Sequence, residues 1–270
     1  MNYRDNNAAA TSWQRAQQVA DRLPEDDPDR PAMRIAPRTL LCATGFRLAG
    51  SGFASGFGEL RDLCLAAGDK RSLAIAMSGP VMEAYFDGRR REASALATEQ
   101  VQLLESIGDP TLTLALVTAA VSVKHETAEM HDVLRLSQNA IDLAGGDATR
   151  GGGIATSSPL GLALAFRGLA RWCLGISGWR ADFEHAVEVV KTAESVTHGG
   201  VLYYTYTMAI LHGVLLPGEA VVHEMTEVLA EAEQSGEDVA FGLAKSNVAF
   251  ALLHQDGDSR AYALELLAQV

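Results

Sequence analysis

The sequence predicts an all-α protein, an α-solenoid of about six antiparallel helical hairpins of the tetratricopeptide-like kind. Three observations predict it. Gly-Asp pairs recur where one apolar-periodic run stops and another starts, in "GDKRSLAIA" (68–76) and "GDPTLTLAL" (108–116). The apolar content of 48% is dominated by Ala and Leu, with aromatics at only 6%, the composition of closely packed helices rather than of sheets. The boundary glycines Gly68, Gly108, Gly146, Gly199 and Gly236 fall about 40 residues apart, with one longer interval that contains the Gly-rich stretch 150–158. Periods of about 34 to 47 residues belong to helical repeats.

The Gly-Asp pair has a physical reading. Gly108 can take the left-handed conformation that ends a helix, and Asp109 can then accept backbone N–H bonds as the N-cap of the next. Pro110 fits the first helical position, where no N–H is needed.

Residues 1–30 read as a leader with one possible helix, and 31–270 as the helical-repeat region, expected to be truncated at its C-terminal end. In the first pair, "PAMRIAPRTLLCATGFRLAG" (31–50) is helical despite Pro37, and "SGFASGFG" turns into "ELRDLCLAAGD" (59–69). The second pair is "KRSLAIAMSGPVMEAYF" (70–86) and residues 90–109, where Leu96, Val101, Leu103, Leu104 and Ile107 mark an apolar side with Glu and Gln opposite. The third joins 110–126 to 130–147, and the fourth joins 159–175 to 179–195. The fifth opens on "VLYYTYTMAILHGVL" (201–215), where β-branched and aromatic residues also suit a strand; its position in a first-helix slot selects helix. Residues 218–238 complete it, and 239–255 with "RAYALELLAQV" form the sixth.

A net charge of −12 argues against a nucleic-acid or anionic-membrane surface, because phosphate binding needs clustered Lys and Arg. Cys42, Cys64 and Cys173 are odd in number, widely spaced and set in apolar runs, and read as reduced core thiols of a cytoplasmic protein. No apolar run is long enough to span a bilayer, and no signal segment is visible.

The sequence carries no recognisable catalytic motif. The glycines of 50–58 lie between helices rather than after a strand, so a hairpin turn fits them better than a dinucleotide loop. "GGG" at 151–153 lacks the Lys and Ser/Thr of a phosphate loop. His125 and His131 form no metal signature and read as solvated or capping. His212 and His254 fall near helix ends, where a positive imidazole meets the negative dipole. Glu231 with Glu233, and Asp26 with Asp27, lie on polar faces or in the leader. No catalytic, cofactor-binding or metal residue is assigned, and no cofactor is expected.

One cluster is a candidate groove-binding surface: Arg167, Arg171 and Trp172 in one first helix, and Tyr203, Tyr204 and Tyr206 in the next. First helices line the concave face of such solenoids. Arg167 and Arg171 are i, i+4 and share a face. The alternative is packing, with the arginine stems laid along apolar surface. A second candidate is terminal: Leu264 and Leu267 in "LELLAQV" (264–270) would leave apolar surface uncovered, a docking site for a further module or for a second copy.

"AYFDGRRREASALA" (84–97) is close to the tetratricopeptide turn. "GELRDLCLAAGDKRSLAIAMSG", "EASALATEQVQLLESIGDPTLTLAL", "SSPLGLALAFRGLARWCLGISGW" and "EAEQSGEDVAFGLA" together resemble the helical-repeat region of large bacterial regulators. Those chains join a class III adenylate/guanylate cyclase domain, a STAND-type ATPase and tetratricopeptide-like repeats, sometimes with a LuxR-type helix-turn-helix. The resemblance covers about residues 30–270 and carries no catalytic residue, since the metal-binding Asp pair, the Walker loop and the basic recognition helix are absent. It implies a non-enzymatic sensor or scaffold that acts on a cyclase or ATPase partner by binding protein or a small effector, with a homo-oligomer allowed. The alternative is a stand-alone adaptor for protein interaction. Neither nucleic acid nor membrane is an expected partner.

Overall fold

The computed structural model describes residues 3–45, 54–153, 156–253 and 257–269, and among them every regular element is helical. The helices divide into two compact units, one holding Tyr3–Glu129 and the other Met130–Gly152 and Thr156–Val270.

In the first unit α1 (Tyr3–Asp21) packs on α2 (Arg30–Thr44), which also touches α3 (Phe57–Ala67). The leader is thus mostly one helix. Asp21 at its end accepts both oxygens' worth of bonds from Arg38 Nη2, at 2.9 and 2.8 Å, and one from Arg34 Nε at 3.0 Å. Glu59 of α3 accepts from the same two guanidinium groups, at 2.8 and 3.1 Å. The bond from Arg38 is the main reason the Asp21 carboxyl sits below its usual range.

The run at 70–86 is two helices, α4 (Lys70–Ala76) and α5 (Ser78–Phe86), rather than one. Pro80 has no N–H to give to the carbonyl of Ala76, four residues earlier. The Cys42 thiol donates to that carbonyl instead, at 3.2 Å. α2 and α5 approach so closely there that a Cβ on Gly79 would lie 2.5 Å from Cys42 Sγ. α6 (Arg90–Ile107) and α7 (Pro110–Glu126) follow.

The α6–α7 junction matches the sequence reading. Gly108 is left-handed, with φ of 67°, and Asp109 Oδ1 accepts from the N–H groups of Thr111 and Leu112 at 2.9 and 3.1 Å. Asp69 caps α4 in the same way through Ser72 N–H, after a left-handed Gly68. At Gly146-Asp147 the glycine is again left-handed, but Asp147 bonds Thr149 in a turn and opens no helix.

In the second unit α8 (Met130–Ala144) packs on α9 (Pro159–Cys173), and α9 on α10 (Trp179–Val190). Glycines bring the last two together: a Cβ on Gly168 would meet the Phe183 ring at 2.6 Å. α11 (Ser195–Leu202) continues through a π-helical turn (Tyr203–Thr207) into α12 (Met208–Leu211), so the "VLYYTYT" segment is helical. Gly199 is no boundary. It sits inside α11, and its carbonyl accepts from Asn247 Nδ2 at 2.8 Å, while Asn247 Oδ1 accepts from Thr207 Oγ1 at 2.9 Å. α13 (Glu219–Ser235), α14 (Asp238–Leu252) and α15 (Asp258–Leu267) complete the unit.

Alternate helices also touch within each unit. α2 meets α4 and α5, and α5 meets α7; α9 meets α11 and the π turn, and both of these meet α14. Cys42 and Cys64 are core thiols, and burial pushes them up to about 12 and about 11. Cys173 departs from expectation. It is exposed, as the last residue of α9, beyond the buried stripe that ends at Ala170. No helix among the described residues is long and apolar enough to cross a membrane.

Candidate functional site

The structure separates the predicted groove residues into three neighbourhoods of the second unit. Arg167 and Arg171, one turn apart on α9, both reach Asp182 on α10. Arg167 binds it bidentately, through Nη2 to Oδ1 at 2.6 Å and Nε to Oδ2 at 3.1 Å, and Arg171 Nη1 adds a bond to Oδ2 at 2.8 Å. Arg167 Nη1 also donates to Gln138 Oε1 of α8 at 3.0 Å. Asp182 is 4% exposed, so this carboxylate is a buried anion that needs its cations. The arginines that the sequence offers to a ligand are committed to joining α8, α9 and α10.

Trp172 points elsewhere. Its ring lies 6.2 Å from that of Trp179 and meets His212, at the end of α12, edge-on at 5.5 Å. Arg180 stacks over Trp179 at 4.3 Å.

The tyrosines belong to the π turn. Tyr204 packs on Phe166 of α9 at 4.3 Å and on Tyr203 at 5.2 Å. The extra residue of a π turn changes which side chains face the neighbouring helices, and Thr205 Oγ1 bonds back to the Val201 carbonyl at 2.6 Å. Tyr206 is turned toward α10 and α13. Burial raises its phenol above the usual value, the Glu224 and Glu184 charges add to the rise, and Lys191 opposes it. Buried His198 holds Nε2 at 3.1 Å from Glu224 Oε1.

A polar cluster in the first unit was not anticipated. Lys124, almost fully buried in the last turn of α7, donates to Ser94 Oγ, Thr98 Oγ1 and Glu129 Oε2 at 2.9, 2.8 and 2.7 Å. Glu129 Oε1 also accepts from Ser94 and Thr127, both at 2.6 Å. Burial raises the Glu129 pKa, but the bonds from Lys124, Ser94 and Thr127 outweigh it and hold the carboxyl at about 2. The paired ammonium has no lone pair to offer Ser94, so the contact is not that of an activated serine. One signal was available: Lys124 is the charged residue that interrupts the apolar run of α7.

The remaining candidates are placed as follows. Leu264 is 56% exposed and Leu267 half-buried, while Ala263 and Leu266 of the same helix turn inward. His125 is buried in the last turn of α7 and His131 is exposed. His254 and Val270 lie outside the described residues, as do residues 50–53 of the 50–58 stretch. No three His, Cys, Asp or Glu side chains among the described residues gather as a metal site. No protein-family model, curated protein or solved structure matches the chain.

Proposed function

We propose that this chain is a non-catalytic, tetratricopeptide-like α-solenoid of about six hairpins that acts as a sensor or scaffold. On this reading it regulates a class III nucleotide cyclase or a STAND-type ATPase by binding protein or a small effector, and turns over neither ATP nor GTP itself. The observation that carries the reading is the packing of alternate helices inside each unit, α2 on α4 and α5, then α5 on α7, and likewise α9 on α11, then α11 on α14. Stacking of every first helix on the next is how repeat hairpins bury a continuous core and line up one recognition face. The left-handed Gly68, Gly108 and Gly236 at three hairpin junctions support the same repeat.

The experiment is reconstitution with a cyclase or ATPase chain encoded beside this one. Binding with a several-fold change in the partner's rate is the expected result. Binding without any change in rate favours the stand-alone adaptor, and no binding overturns both. Turnover that copurifies with this chain through several columns overturns the non-catalytic part.

A further inference from the structure

The α9–α10 turn and the end of α12 meet at one edge of the second unit, where their rings stack. Trp172 touches Trp179 and His212, and Trp179 runs on to Phe183 at 5.4 Å. Phe183 is fully buried, both indoles are half-buried and His212 is exposed. The rings are therefore fixed in the core on one side and open to solvent on the other. Ile176 and Leu211, in the same two segments, are 42% and 43% exposed. Solvent-reached tryptophans backed by a rigid core, with arginine beside them, are the make-up of interface hot spots.

The segments that form this edge are poor in acid up to Asp182 and the exposed Glu184 of α10. Residues 167–181 carry Arg167, Arg171 and Arg180 and no Asp or Glu, and residues 195–218 carry neither acid, in a chain with 34 acidic residues. The nearby carboxylate of Asp182 is buried and taken by Arg167 and Arg171. Arg180 is exposed, and among the described residues it has no carboxylate partner, only the face of Trp179. A stacked guanidinium keeps its in-plane N–H donors for a carboxylate.

The geometry points to a docking surface for an acidic peptide segment of a partner protein. An aliphatic or aromatic side chain of that segment rests on Trp172 and Trp179, and a flanking carboxylate meets Arg180. This inference rests on the scaffold reading above and names the partner's chemistry. One available guanidinium suits a single carboxylate. A nucleic-acid strand needs several unpaired cations, and here Arg167 and Arg171 are already engaged by Asp182.

The chain has three tryptophans, Trp13, Trp172 and Trp179, so indole N–H resonances of the full ¹⁵N-labelled protein report directly. The probe is the capped hexapeptide EDFLDE, with the charge-reversed KKFLKK and an oligouridylate beside it. The expected result is a saturable shift of the Trp172 and Trp179 signals with EDFLDE alone and a stationary Trp13. Arg180→Glu, a surface change that leaves the core intact, should weaken EDFLDE by about tenfold or more. No saturable shift at millimolar peptide, an equal response to KKFLKK or oligouridylate, or unchanged affinity in Arg180→Glu overturns the inference. Partner regulation that persists without peptide binding sinks this surface and leaves the scaffold standing. Peptide binding with no effect on any partner sinks the scaffold reading alone.

Discussion

Asp182→Ala is expected to destabilise the second unit by about 3 kcal/mol. The carboxylate is 4% exposed and accepts three charge-assisted bonds, two from Arg167 and one from Arg171. At about 1.5–3 kcal/mol each, those bonds are together worth roughly 4.5 kcal/mol or more before the side chains relax. Breaking a buried pair by removing one partner costs about 3–5 kcal/mol, because the surviving charge is stranded. Here the survivors are two guanidinium groups facing each other. Their side chains are 15% and 27% exposed, so both can swing part-way to water, which selects the lower end of that range. Equilibrium urea denaturation followed by tryptophan fluorescence measures the loss. The same change made with Arg167→Met and Arg171→Met should cost much less, since no cation is then left unpaired. A loss below about 1 kcal/mol in the parent, or an equal loss in the arginine-free background, would refute the argument.

Glycine substitutions should have opposite signs at two positions. Gly108→Ala, at φ of 67°, lowers stability by roughly 1–2 kcal/mol, whereas Gly199→Ala, inside α11 with its nearest neighbour at 3.6 Å, raises it by roughly 0.5–1 kcal/mol. Urea midpoints of the two variants check this. Glu129, depressed from 4.5 to about 2, contributes stability that is complete above pH 4.5 and lost as pH falls toward 2, because the unfolded chain binds the proton first. Glu129→Gln should therefore unfold less steeply with acid than the parent over that window, as followed by circular dichroism. Thiol labelling at pH 8 should modify Cys173, which is exposed although partial burial raises its pKa, well ahead of Cys42 and Cys64, which stay untouched until urea is added; mass spectrometry of the labelled peptides reads this.

The helices were legible wherever the signal was local. Gly108, Asp109 and Pro110 specify a junction within three residues, and the structure makes the bonds that those residue types allow. Where the outcome depends on a distant partner, the reading failed. Gln100 fell on the polar side of the α6 pattern, yet it is fully buried, donating to the Ala74 carbonyl and Ser78 Oγ, both at 3.0 Å. The break between α4 and α5 asks for that side chain, and a helical wheel of α6 alone carries no trace of it. The spacing of Gly199 suits a repeat boundary, but spacing alone does not end a helix. Whether a glycine ends a helix depends on the residues after it, and Val201–Leu211 continue helically through a π turn.

The candidate site shows the same division between local and distant information. The i, i+4 spacing of Arg167 and Arg171 does place them together, but spacing gives the shared face and not what that face meets. Their counter-ion, Asp182, reaches them only when the α9–α10 hairpin closes, and it stands three residues after Trp179 in a segment that reads as an ordinary amphipathic helix. Closure then has two effects. It removes the two arginines from the surface chemistry by pairing them, and it carries Trp179 against Trp172, with Arg180 lying on the indole face. A cation with no distinguishing mark in the sequence is thus left exposed beside two fixed aromatic rings, because Arg167 and Arg171 are needed to hold the hairpin that displays it.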